Sequence, residues 1–177
     1  EYEKALAYFS ASMHIREQTG DRKGIAGSLD NQGNIYEVMG QLNRALQLYH
    51  KSYAIQNELT DKRGMALSLI NQASVLEKQG NETGALNNYM KALELQTEVG
   101  DEEVSVSYNL GIARILLKQN KKAEAAEVAM KAYDNAKLLG NVSKIRDCAL
   151  LNAQIMEQQG NHLPALVMFK EYMLMRD

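Results

Sequence analysis

The chain has 177 residues, 45% apolar and 24% charged, a composition of folded globular proteins rather than disordered or fibrous ones. A formal net charge of -2 argues against a nucleic-acid binder that works by neutralising phosphates, and no apolar run approaches the roughly 18 residues of a membrane span. A single cysteine, Cys148, rules out an internal disulfide and agrees with a reducing, cytoplasmic compartment.

The residue usage predicts an all-α protein. Only one proline, Pro164, interrupts a chain rich in Ala, Leu, Glu, Gln, Lys and Met. Taken in chain order, the predicted helices cover 2–19, 22–39, 42–59, 62–79, 82–99, 102–119, 121–139, 142–159 and 162–176. Asp21, Asp61, Asp101 and Asn141 stand where a side-chain oxygen can accept from the free N–H groups of a first turn. Gly40, Gly80, Asn120 and Gly160 stand where a helix ends in a left-handed residue. Pro164 falls in the first turn of the last helix, where its missing donor costs nothing. After Gly40, apolar residues recur at three- and four-residue steps: Leu42, Ala45, Leu46, Tyr49 and Tyr53.

These helices repeat every 40 residues without a gap. Ala5-Leu6, Ala45-Leu46, Ala85-Leu86, Ala125-Ala126 and Ala165-Leu166 form one column, and Phe9, Tyr49, Tyr89, Ala129 and Phe169 a mostly aromatic one. Gly33, Ala73, Ala113 and Ala153 are small; Ile35, Val75, Ile115 and Ile155 are β-branched. A helix of this kind cannot bury its apolar face alone, so successive hairpins must stack on one another. Small residues let the helix axes approach closely, and the aromatic one turn on fills the adjacent space. The expected organisation is one domain over 1–177: a half repeat at 1–20, then repeats at 21–60, 61–100, 101–140 and 141–177.

The columns resemble the tetratricopeptide repeat. Leu29-Asp30-Asn31-Gln32-Gly33-Asn34-Ile35-Tyr36 is similar to its first helix, and Ala45 to Ile55 to its second. The usual period is about 34 residues; the longer one here resembles repeats of kinesin light chains, cell-polarity adaptors and bacterial signalling proteins. The resemblance implies a right-handed α-solenoid of about nine helices that binds a protein or peptide in a concave groove lined by first helices, in a scaffold or adaptor role. It implies no enzyme activity, no cofactor, no nucleic acid and no membrane insertion. An alternative reading is the sensor or regulatory part of a bacterial signalling enzyme, such as a diguanylate cyclase or histidine kinase. A further one resembles pheromone-binding regulators.

The groove stripe implied by the family runs through Asn31, Asn34, Asn71, Ser74 and Lys78, then Gly111, Arg114, Lys118, Leu151 and Gln154. Asn31 and Asn71 match a position where long-form relatives offer an amide, which can donate to and accept from a peptide backbone. Arg114 and Lys118 suit a carboxylate. Glu37, Glu77 and Glu157 recur in register and read as a solvated face. The three histidines share no repeat position, so they form no metal set. The chain opens inside a second-type helix and ends after another, leaving Leu166, Phe169 and Met173 facing an absent neighbour. A piece of a longer protein, or self-association through uncapped ends, is expected.

Overall fold

The computed structural model describes residues 2–99 and 102–175, with side chains throughout except at 96–99, 102 and 103. Nine helices and no strand occupy the described residues: α1 (Tyr2–Thr19), α2 (Arg22–Val38), α3 (Leu42–Glu58), α4 (Lys62–Lys78), α5 (Glu82–Val99), α6 (Glu102–Lys118), α7 (Lys122–Leu138), α8 (Val142–Gln158) and α9 (His162–Leu174). Each lies within two residues of its predicted span. The chain is thus an all-α repeat, and equivalent helices begin 40 residues apart at Arg22, Lys62, Glu102 and Val142.

Local chemistry sets the helix ends. Asp21, Asp61 and Asn141 accept from the backbone N–H of Gly24, Gly64 and Lys144 at 2.9, 3.0 and 3.1 Å. Asp101 lies outside the described residues. Asn81 caps α5 in the same way, accepting from Gly84 at 3.0 Å, a role its sequence context had not marked. At the other ends, the Gly40 N–H donates to the Glu37 carbonyl and the Gln41 N–H to the Tyr36 carbonyl, a pairing repeated at 80/81, 120/121 and 160/161. This motif requires a left-handed residue, and Gly40, Gly80, Asn120 and Gly160 have φ of 74°, 79°, 61° and 80°. Thr60 takes the same conformation at φ 54° although its β-branch disfavours it.

The helices form two compact units, Glu1–Val99 and Gly100–Asp177. In the first, α1 packs on α2, α2 on α3, α3 on α4 and α4 on α5; in the second, α6 packs on α7, α7 on α8 and α8 on α9. Short connections force neighbours to run antiparallel. The centre of the first unit is Ala45, Tyr49 and Val75, all fully buried, with Tyr36, Leu42 and Leu46 around them. Gly33 lies beneath the Tyr49 ring so closely that a Cβ there would meet ring carbon Cε1 at 2.5 Å. In the second unit α7 buries Ala125, Ala129, Ala132 and Ala136. Ala129 stands where the first unit has Tyr49, so α7 packs through methyl groups alone at that column. A side-chain amide ties successive repeats in both units: Gln72 Nε2 donates to the Tyr49 carbonyl at 3.4 Å, and Asn152 Nδ2 to the Ala129 carbonyl at 3.0 Å.

One polar cluster interrupts the apolar core. Asp30 of α2 accepts from Ser52 Oγ (2.8 Å) and Gln56 Nε2 (3.1 Å) of α3 and from Ser68 Oγ (3.0 Å) of α4. Its register partners are Ile70, Leu110 and Leu150. Burial raises the Asp30 carboxyl above the usual range, and the three donors only partly offset that. Asp61 behaves oppositely: the Gly64 N–H and the Lys23 ammonium, 2.9 Å away, hold it below the usual range.

Two predictions follow from these environments. Thr60→Gly relieves the left-handed strain and raises stability by about 1 kcal/mol in a urea melt. For Asp30, a folded-state pKa above the unfolded value means that the folded protein holds the proton more tightly, so stability falls as pH rises through that window. The melting temperature of Asp30→Asn, which cannot ionise, therefore gains on wild type as the pH rises through and above the ordinary carboxylate range. A constant difference across that range contradicts the assignment.

Candidate functional site

The face of the first unit that carries the groove stripe is built by α2 and α4, which touch one another. Side chains one turn apart on a helix share a face, so Asn31 and Asn34 line α2 while Asn71, Ser74 and Lys78 line α4. Asn31 is exposed and Asn71 half-buried. Among the described residues neither side chain has a hydrogen-bond partner.

Their neighbours are different. Asn34, Ser74 and Lys78 converge on Glu37. Tyr49 Oη donates to Asn34 Oδ1 at 2.7 Å and to Glu37 Oε2 at 2.9 Å. Ser74 Oγ donates to Glu37 Oε1 at 2.7 Å, and Lys78 Nζ lies 2.8 Å from the same oxygen. The Glu37 side chain is only 11% exposed, so it is no part of a solvated face as its periodic recurrence had suggested. The physical reason is the hairpin: Tyr49 is buried in α3 with its hydroxyl reaching the α2 face, and a buried phenol needs an acceptor. Burial first, then the Glu37 charge, push the Tyr49 hydroxyl well above the usual range, so it stays a donor. The sequence signal was the coincidence of glutamate and tyrosine in register at 37/49 and 77/89; it is absent at 157/169, where phenylalanine stands.

The second unit presents its own counterpart. Arg114 is half-buried and Lys118 exposed on α6, and both engage other groups. Gln154 on α8 is exposed and borders a cavity with Ala153, Glu157 and Leu166. Gly111 and Leu151, expected on the stripe, are buried: the register that carries Asn31 outward in the first unit turns into the core of the second. Glu157 is exposed, as expected for it.

Cys148 is buried, and burial pushes its thiol up to about 12, leaving no thiolate to act as nucleophile. No three His, Cys, Asp or Glu side chains among the described residues could hold a metal ion together, and no described helix is long and apolar enough to cross a membrane.

Stacked antiparallel hairpins with first helices sharing a face define a helical-repeat solenoid. Residues 64–137 match the tetratricopeptide repeat family model. That match spans less than half of the chain, and the helices on either side of it keep the same 40-residue spacing. No curated protein sequence matches it. Among solved structures it is similar to BtubC (BKLC) from P. vanneervenii (TM-score 0.78, 14% identity, 99% of this chain and 73% of that one) and to the apo form of RapI (TM-score 0.77, 15% identity). The RapI match covers 99% of this chain but spans only about half, 49%, of RapI. It is also similar to YrrB, described as a TPR protein with an unusual peptide-binding site (TM-score 0.54, 18% identity, 99% of this chain and 78% of that one). Such identities speak for the fold. Tetratricopeptide repeats are in general non-enzymatic protein-interaction modules, and a scaffold role is the general function that the family supports.

Removing the phenolic donor tests how the face is held. Tyr49→Phe leaves the ring in place but strips Glu37 and Asn34 of a buried partner, and should cost about 1–2 kcal/mol in chemical denaturation. The double variant Tyr49→Phe/Glu37→Gln should fall short of the summed single losses, because both remove the same contact.

Proposed function

We propose that the α2–α4 face binds an extended peptide segment of a partner protein, with Asn31 and Asn71 as the contacts to its backbone. The observation that carries this reading is the division of labour on the face. Asn34, Ser74 and Lys78 are anchored through Glu37, whereas the two amides beside them have no internal partner. An amide presented on an ordered scaffold needs little reorganisation to clasp a peptide unit, which limits the entropic cost of binding. The Lys78 charge is largely answered by Glu37, so this face selects for main-chain amides rather than for an acidic tail. Asn34 retains its amide N–H2 for a ligand, since the tyrosine uses only its oxygen. Ser74 and Lys78 act mainly by holding that arrangement. On the second unit, Arg114, Lys118 and Gln154 are the corresponding contacts, with the two cations suited to a carboxylate. The peptide-binding site of YrrB, a protein of similar fold, supports the general mode. The sensor role in a signalling enzyme has no comparable observation behind it.

The test is affinity capture from the native source with wild type and an Asn31→Ala/Asn71→Ala variant. Both side chains reach solvent, so the fold should be unchanged by circular dichroism. The variant should lose its bound protein by about tenfold or more. Equal recovery by the two forms would mean that the ligand sits elsewhere.

A further inference from the structure

In the first unit the ammonium groups of Lys78 and Lys23 are each answered by a carboxylate, Glu37 at 2.8 Å and Asp61 at 2.9 Å. Lys144, on α8 of the second unit, is placed differently. It is half-buried, and its Nζ donates to the Ser107 hydroxyl of α6 at 2.8 Å. Among the described residues no carboxylate pairs with it. Asp147, one turn further along α8, pairs with Arg146 at 3.1 Å instead. A half-buried ammonium with only a hydroxyl for company keeps much of its desolvation cost, and an anion from outside would offset it.

Donors are left over at this contact. An ammonium has three N–H bonds, of which Ser107 takes one. The Ser107 oxygen accepts that bond, and its own hydrogen has no acceptor among the described residues. Because α6 and α8 touch, two ammonium hydrogens and one hydroxyl hydrogen meet at one point of their shared face. Arg114, two turns along α6 from Ser107, brings a second positive charge. Cys148 lies one turn beyond Lys144; its thiol is raised by burial first and then by Asp147, and the charges of Lys144 and Arg114 both oppose that rise. Arg114 also engages other groups, so its part here is charge rather than a free donor. The repeat itself does not call for these cations: the column of Lys144 holds Gly24 and Gly64 in the first unit, and that of Arg114 holds Asn34 and Ser74.

We propose that Lys144 and Ser107, backed by the charge of Arg114, form a receptor for the phosphoryl group of a phosphorylated side chain on a partner's peptide segment. The two free ammonium hydrogens and the Ser107 hydroxyl donate to its terminal oxygens. A phosphoryl group offers three such oxygens and a charge of about -1.5 to -2 near pH 7, which suits three free donors and two cations. A carboxylate has two oxygens and a single charge, and answers the site only in part. The inference rests on the reading of the α6–α8 face as a peptide site, and names the group that this face selects.

Synthetic peptides of one neutral sequence, with serine, glutamate or phosphoserine at the centre, test this. Each is titrated into the isotope-labelled full chain and followed by backbone amide shifts. The phosphoserine peptide should give saturable shifts in 104–108 and 141–148 and bind about tenfold tighter than the glutamate peptide. Lys144→Gln should weaken it about tenfold or more, and Ser107→Ala by a smaller factor. Lys144→Arg keeps the charge and should retain most of the binding, which separates a lost ion contact from a folding defect. Lys131→Gln removes one exposed charge from α7 and should change nothing. Shifts that are absent, equal for the three peptides, or untouched by Lys144→Gln overturn the proposal. So does a glutamate peptide that binds as tightly as the phosphoserine one. Asn31→Ala/Asn71→Ala should leave the titration as it is, so failure of the α2–α4 contacts and failure of this receptor are read separately.

Discussion

The close approach of two helices over Tyr49 is the contact on which the first unit depends. In the α2–α3 hairpin the tyrosine ring lies so close to the facing helix that it occupies the space a side chain at Gly33 would take. Ala45 in the same helix as Tyr49 lets α4 come near enough for Val75 to close the space. Each of the three residues is small or stiff, so the arrangement costs little side-chain entropy and leaves few alternatives. Burying the ring also carries a hydroxyl to the α2 face, and that single polar atom organises the surface above it. Packing and the polar arrangement on the α2 face are therefore one construction seen from two sides.

Two carboxylates show how polar groups are handled in these hairpins. Glu37 lies near the surface, receives two hydroxyls and an ammonium, and holds the α2–α4 face in register. Asp30 lies deeper and receives two serines and a glutamine, with no cation among the partners that it accepts from. Its register partners are aliphatic, so the charge is a local departure that links α2, α3 and α4 by direction rather than by burial alone. Directional bonds of this kind restrict sliding between helices that apolar contacts would tolerate. In the second unit Glu171 receives the Tyr133 hydroxyl and the Lys137 ammonium, and α7 packs through alanines.

Helix number, boundaries, turn residues and the repeat were legible because they follow from local rules applied again and again. Caps and left-handed glycines act within a few residues, and a 40-residue period multiplies each weak signal. Thr60 stands in the column of the left-handed Gly20 and Gly140 but carries a β-branch that hides it, and Asn81 caps its helix from a repeat position held by Gln41 and Lys121 elsewhere. The expected stripe reaches solvent at Asn31 and Asn34 of α2, at Lys118 of α6 and at Gln154 of α8, but not at Gly111 or Leu151. Periodicity places Gly111 and Leu151 beside Asn31, and only burial against neighbouring helices decides that they turn inward.

By itself the sequence determined the architecture: period, hairpins, and small and aromatic columns. Tertiary structure decided which polar residues remain available. Glu37 and Glu157 occupy the same column, yet one is enclosed by Tyr49, Ser74 and Lys78 and the other stands open beside Phe169. The reason is that a side chain's availability depends on what other helices bring to it across gaps of 12 to 41 residues, from Glu37 to Tyr49 and to Lys78. Local propensity has no access to those distances; packing does.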